Sequence, residues 1–172
     1  MSDFESSRST VSKTIEESTS SIGKTLSVKT PNIRQASKEW ESNWNDAKNK
    51  FLDLQKTFSI VGKTSKQYFD KLAEIQKGIA NKKLQKSEQD RNAKIKKNWT
   101  KAYILASANI KKLAKIIQDG DDFHRVLLGA SLREKLVQNI SELSKISQRA
   151  STLLKDLKKL TIEGQKLVMN NG

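Results

Sequence analysis

Few residues of this chain have the type and spacing that catalysis or metal binding requires. His124 is the only histidine, and it follows three clustered carboxylates, Asp119, Asp121 and Asp122. One imidazole beside acidic residues at a helix start is typical of capping and charge compensation, not of an acid–base pair or a metal site. The acidic run also lacks the spaced ligands and final glutamate of a calcium loop.

Two segments match the last three residues of a phosphate-binding P-loop, Gly23-Lys24-Thr25 and Gly62-Lys63-Thr64. The complete loop needs another glycine five residues before the first residue of each match, where this chain has Ser18 and Thr57. Cysteine is absent, which excludes disulfides, thiolate catalysis and cysteine-bearing metal sites. We therefore predict that the protein is not an enzyme and has no cofactor, metal or small-molecule substrate.

The remaining chemistry is positive charge. The formal net charge is +14, and residues 81–98 hold seven basic and two acidic side chains. Such a surface attracts polyanions. Only six of the 33 basic residues are arginines, and lysine suits diffuse attraction to a membrane better than readout of base edges. The lysines predicted to bind an anionic partner are Lys82, Lys83, Lys86, Lys94, Lys96, Lys97, Lys111, Lys112 and Lys115.

Three functions are compatible with this charge. The leading prediction is a nonenzymatic scaffold that binds an anionic membrane surface or an acidic protein. The alternative is a coiled-coil assembly or adaptor protein that self-associates or recruits partner helices. Nonspecific nucleic-acid binding comes third, because no nucleic-acid motif is recognisable. Without an apolar spanning segment or signal peptide, the predicted location is cytoplasmic and peripheral to membranes, with non-Sec export left open.

Helices must position these lysines, because apolar residues recur in alternating steps of four and three. One ladder runs from Trp40 to Ile79, a second from Trp99 to Ile117, and a third from Leu136 to Leu167. Each ladder forms one stripe along a helix, and such a stripe is buried against other helices. The predicted fold is all-α, an elongated antiparallel bundle of three long helices with coiled-coil-like heptads.

The predicted boundaries follow from turn and capping residues. We expect helices at about 33–80, 85–118 and 122–169 in a single domain of residues 33–169, followed by a C-terminal end at 170–172. Asn32 is a candidate N-cap, and Asp119-Gly120-Asp121-Asp122 is predicted to be the turn between the second and third helices. Residues 81–98 are compatible with either a hairpin turn or a solvated helix.

The N-terminal segment, residues 1–32, is predicted to be a flexible tail. Fourteen of its first 30 residues are serine or threonine, a composition that buries little apolar surface. Four apolar residues nevertheless have heptad spacing, Val11, Ile15, Ile22 and Leu26. The segment is therefore also compatible with an amphipathic helix that forms on contact with a partner.

Overall fold

Four helices make up the part of the chain that the structure describes. The computed structural model describes residues 2–133 and 140–169, except for the side chains of residues 140, 168 and 169, so Leu136 and the predicted C-terminal end at 170–172 lie outside the described residues. The helices are α1 (Ser2–Leu26), α2 (Ile33–Lys77), α3 (Lys82–Arg133) and α4 (Ile140–Met169). None of these helices combines the length and apolar composition that crossing a bilayer requires. The prediction of an all-α fold is confirmed, and the prediction of three helices is wrong.

The helices pack as an antiparallel ring in which α1 and α3 each contact both α2 and α4. Side chains set the register at several levels. The Arg8 Nη1 atom donates a hydrogen bond to the Leu154 carbonyl, and the Trp44 indole nitrogen donates one to the Ile117 carbonyl. A single hydrophobic core draws buried residues from all four helices. The result is a four-helix bundle.

The predicted flexible tail is wrong for residues 2–26, which form α1. Val11, Ile15, Ile22 and Leu26 are all buried in the core. Four hydroxyls of α1 are satisfied within the helix, because Thr10, Ser18, Thr19 and Thr25 each donate to the carbonyl four residues earlier. The segment therefore supplies one wall of the bundle.

The predicted turn at Gly120 is also wrong, because α3 continues as helix from Lys82 to Arg133. A Cβ atom added to Gly120 would lie 1.9 Å from the Trp44 ring. The Trp40 indole nitrogen donates a 2.9 Å hydrogen bond to the Gly120 carbonyl. Gly120 thus lets α3 approach the two stacked tryptophans of α2, whose ring centroids are 4.7 Å apart. Its role is close packing within a helix.

Short polar connections begin and end the long helices. Asn32 caps α2, since its side chain accepts a 3.0 Å hydrogen bond from the Gln35 backbone nitrogen. Asn81 likewise accepts from the backbone nitrogens of Lys83 and Leu84 at the start of α3. Residues 82–98, for which the sequence was compatible with a hairpin turn or a solvated helix, are helical. Helix α3 begins at Lys82, directly after a turn at residues 78–81.

Helices α2 and α3 extend beyond the other two. Phe4, in the first turn of α1, lies against Phe58 with ring centroids 5.7 Å apart, and Phe58 stacks on Tyr103 at 4.7 Å. Past this level, residues 60–77 of α2 and 82–99 of α3 continue as a helical pair, which we call the stalk. Helix α4 accompanies the base of the stalk, where Leu167 and Asn98 line the same cleft. At a rise of about 1.5 Å per residue, the stalk is about 25 Å long.

Candidate functional site

Seven lysines of α3 lie on the side of the helix that faces solvent, and we call them the lysine face. Separations of 3, 4 and 11 residues return to nearly the same side of a helix. All seven are exposed, whereas Ile95, Ala106, Ile110 and Leu113 of the same helix are buried. The lysine face extends for about 50 Å along the helix axis. Its members are Lys83, Lys94, Lys97, Lys101, Lys111, Lys112 and Lys115.

The charge of the lysine face is not neutralised locally. Within residues 2–133 and 140–169, none of its seven ammonium groups forms a salt bridge. Asp90 and Asp119 each lie four residues from a lysine of the face on that side, and they are bound by Lys86 at 3.1 Å and by Arg149 at 2.7 Å. The face therefore presents a row of positive charges to solvent, and this row would concentrate anions near it.

Two large apolar side chains lie within the lysine face. Ile104 and Leu105 are 60% and 56% exposed, although most apolar residues at this level of α3 turn inward. Leu105 also lines a cleft of about 430 Å³ between α3 and the end of α4, together with Lys101 and Lys166. An exposed aliphatic pair flanked by lysines is the arrangement that a headgroup and acyl-chain boundary can accommodate.

Most, but not all, of the lysines predicted from sequence belong to this face. Lys82 donates a 3.4 Å hydrogen bond to the Gln85 side chain, and Lys86 is bound by Asp90. The Lys96 ammonium lies 5.9 Å from the centroid of the Phe69 ring, so it points toward α2. Of the nine predicted lysines, these three are therefore separate from the row.

The sequence interpretation missed Lys101, Ile104 and Leu105. Lys101 follows Lys97 by one helical turn, so the row could have been extended across the boundary drawn at residue 98. The isoleucine and leucine are out of phase with the ladder that runs from Trp99 to Ile117. Apolar residues off the buried stripe of an amphipathic helix are a sequence signal for an exposed patch.

Two basic residues of α4, Lys145 and Arg149, are each bound by a carboxylate. Helix α3 continues through Gly120 to Arg133, and Arg149 of α4 lies beside Asp119 and binds it at 2.7 Å. Lys145 is likewise bound by Glu142 of its own helix at 2.6 Å. These two basic side chains therefore add little to the lysine face.

The clustered aspartates near His124 each have a basic partner. Arg149 binds Asp119, Lys48 binds Asp121 at 2.9 Å, and Arg125 binds Asp122. Their carboxylates thus hold neighbouring helices together or stabilise a turn of α3. The described residues contain no group of three or more histidine, cysteine or acidic side chains placed to hold a metal ion.

Comparison with family models, curated proteins and solved structures finds no match to this chain. The lysine face and its apolar pair must therefore be interpreted from their own chemistry.

One ion pair of the stalk changes the titration of its members. Lys66 and Asp70 are 2.9 Å apart on α2. The hydrogen bond from Lys66 is the main reason that the pKa of Asp70 lies below its ordinary value, with a smaller contribution from the charge of Lys96. The same hydrogen bond raises the pKa of Lys66. This exposed pair remains ionised at neutral pH.

Proposed function

We propose that this protein is a noncatalytic helical scaffold that docks on anionic membrane surfaces through the lysine face. The observation that carries the proposal is the row of seven lysines without a salt-bridge partner among the described residues, interrupted by the exposed Ile104 and Leu105. Electrostatic attraction brings the face to the bilayer, and the two aliphatic side chains leave water at the interface.

The expected energies are sufficient for reversible binding. A lysine near an anionic leaflet contributes about 1 kcal/mol at low salt, and screening reduces this contribution beyond a Debye length of about 8 Å at physiological salt. Removing the exposed halves of Ile104 and Leu105 from water adds about 1 kcal/mol for each side chain. Binding should therefore weaken with salt but retain an apolar component.

The apolar pair favours a membrane over a nucleic acid as the anionic surface. A phosphate backbone would attract the same lysines but would leave Ile104 and Leu105 in water. No arginine belongs to the lysine face, and arginine is the residue best suited to bidentate contacts with phosphates and bases. Nucleic-acid binding is therefore the second choice for this face.

Cosedimentation with liposomes tests the proposal. Vesicles of phosphatidylcholine alone are compared with vesicles that contain phosphatidylserine, over a range of salt concentrations. The variant Lys97→Glu/Lys101→Glu/Lys111→Glu should lose at least tenfold in binding to the anionic vesicles, because it places three acidic groups within the face. Thermal unfolding and circular dichroism should show that this variant remains folded.

A control with the same net charge separates the face from the overall charge. Lys24→Glu/Lys38→Glu/Lys63→Glu changes three exposed lysines that lie on α1 and α2. We expect this control to retain most of the binding. Equal loss in the two triple variants, or equal binding to neutral and anionic vesicles, would contradict docking through the lysine face. A duplex DNA of defined length, added as a competitor, shows whether any polyanion binds equally well.

A further inference from the structure

The stalk has an open apolar groove on one side. Helix α2 provides most of its lining, Trp99 of α3 closes one side, and the groove has a volume of about 220 Å³. Aromatic and aliphatic side chains dominate this surface, and two of them are largely exposed, Ile60 at 59% and Tyr68 at 39%. The lining residues are Ile60, Val61, Thr64, Ser65, Tyr68, Phe69 and Trp99.

The groove continues the core of the four-helix bundle. Val61 and Trp99 line both the groove and the small cavity at the adjacent end of the bundle. In the bundle, the space between α2 and α3 is covered by α1 and α4, and Phe4 is the first apolar residue of α1 to do so. Beyond Phe4, the described part of α1 provides only Ser2 and Asp3, and none of the residues that line the groove belongs to the described part of α4. Ile75, farther along the stalk, is 58% exposed.

The shape of the groove indicates what would cover it. Within the bundle, the same space is filled by amphipathic helices packed lengthwise against α2 and α3. The exposed stretch from Ile60 to Ile75 corresponds to about 22 Å of helix, or about four turns. A helix of 15 to 18 residues with one apolar stripe would therefore match its length, by about the same 1.5 Å rise.

The charge of the stalk distinguishes between possible helices. Residues 60–77 and 82–99 contain eleven basic and four acidic side chains. Lys94 lies one heptad before Lys101 and therefore on the same side of α3, one turn before Asn98, which shares a cleft with Leu167 of α4. A second copy would bring an equally basic stalk into contact, and like charges oppose such pairing. In α1, the residues that flank Phe4 are both acidic, Asp3 and Glu5.

We propose that the stalk groove binds an amphipathic helix of another protein, one with acidic residues on either side of its apolar stripe. The apolar side chains of that helix cover Ile60, Tyr68 and Trp99. Its carboxylates are attracted by the basic side chains of the stalk, which outnumber the acidic ones. This site is distinct from the apolar pair of the lysine face, and it would give a membrane-docked scaffold a means to recruit a partner.

A designed peptide tests the chemistry of this site. The probe is a fluorescently labelled peptide of 18 residues, with leucines spaced three and four residues apart and glutamates beside them. A second peptide has lysines in place of the glutamates. Fluorescence anisotropy should detect saturable binding of the acidic peptide to the full-length protein and at least tenfold weaker binding of the basic one.

Uncharged substitutions locate the binding. Ile60→Ser/Tyr68→Ser removes two exposed contacts of the groove without changing any charge, and we expect at least tenfold weaker binding of the acidic peptide. The matched control is Leu52→Ser/Leu132→Ser, which changes two exposed leucines outside the groove, 51% and 83% exposed. The control should bind the peptide as the unmodified protein does.

Three outcomes would overturn the proposal. The first is failure of the acidic peptide to bind, and the second is equal binding by the groove variant and its control. The third is a dimer in sedimentation velocity that Ile60→Ser/Tyr68→Ser dissociates, because the occupant of the groove would then be a second copy. None of these outcomes depends on liposome binding, so the groove and the lysine face are tested separately.

Discussion

Replacing Gly120 by alanine should destabilise the bundle, although the same substitution stabilises most helices. In a helix interior, alanine is favoured over glycine by about 1 kcal/mol. At Gly120, however, the new methyl group would lie 1.9 Å from one carbon of the Trp44 ring and 2.1 Å from another. Trp44 is only 1% exposed, so its ring cannot move out into solvent. Overpacking a tight core costs up to about 3 kcal/mol, so the net loss should be about 2 kcal/mol.

Gly129 provides a matched control in the same helix. A Cβ atom there would meet the tip of the Arg133 side chain at 3.3 Å, and this flexible side chain can move aside. Gly129→Ala should therefore be neutral or stabilising by up to about 1 kcal/mol. The gain in helix propensity is common to both variants, so it cancels when their free energies of unfolding are compared. Gly129→Ala should be more stable than Gly120→Ala by about 3 kcal/mol.

Urea unfolding followed by circular dichroism gives both free energies. In thermal unfolding, Gly120→Ala should lower the midpoint by about 4 to 8 °C for a chain of this size. If Gly120→Ala were as stable as Gly129→Ala, the close approach of α3 to Trp44 would be refuted. The contact between Gly120 and Trp44 would then no longer explain why α3 continues as a helix through this position.

Two further predictions concern other contacts of the helices. Arg8 is only 7% exposed, donates a 2.7 Å hydrogen bond to Glu5 and donates another to the Leu154 carbonyl. In urea unfolding, Arg8→Ala should therefore lower the free energy of unfolding by about 1 to 3 kcal/mol, whereas Lys13→Ala on the exposed side of α1 should have little effect. Equal stability of the two variants would contradict an anchoring role for Arg8. In Lys66→Met, the hydrogen bond that favours the ionised form of Asp70 is lost, so the pKa of Asp70 should rise toward its ordinary value in a carboxyl NMR titration. An unchanged pKa would show that the hydrogen bond from Lys66 is not the cause of the lowered pKa.

The helical stripes could be predicted from sequence because they depend on local spacing. The ladder through Trp40, Trp44 and Phe51 places residues that are buried in α2. The four apolar residues of the N-terminal segment also have helical spacing, although its serines and threonines favoured the prediction of a flexible tail. Composition was misleading there, because hydroxyls that donate to their own helix, such as Ser18, are compatible with a packed wall. Whether the stripes pack as coiled-coil heptads stays a prediction.

The turn at Gly120 could not be judged from sequence because its explanation is nonlocal. A glycine flanked by aspartates is a common helix boundary. In this chain the glycine accommodates Trp44, which is 76 positions earlier, and Asp119 and Asp121 bind basic residues of α4 and α2. A pattern read along one segment does not contain these partners. The error misplaced the predicted end of the helix that contains Gly120.

The candidate site was predicted in part for a similar reason. Lysine density along α3 is a local property, so most of the lysine face was recognised. Lys96 does not belong to the lysine face because its ammonium group lies over the Phe69 ring of α2. Lys86 does not belong to it because its side chain binds Asp90. Neither contact can be read from the sequence. The sequence shows that Ile104 and Leu105 are out of phase with the buried stripe. That they form an exposed apolar pair among the lysines follows only once the exposed side of α3 is known.

The most direct test of the central claim is the environment of position 104 on a membrane. The chain contains no cysteine, so Ile104→Cys provides a single attachment site for an environment-sensitive fluorophore. Leu132→Cys, on the same helix but outside the lysine face, is the matched control. Docking through the lysine face predicts a blue shift at position 104 with phosphatidylserine vesicles, none with phosphatidylcholine vesicles, and none at position 132. No shift at position 104, or equal shifts at the two positions, would contradict the account.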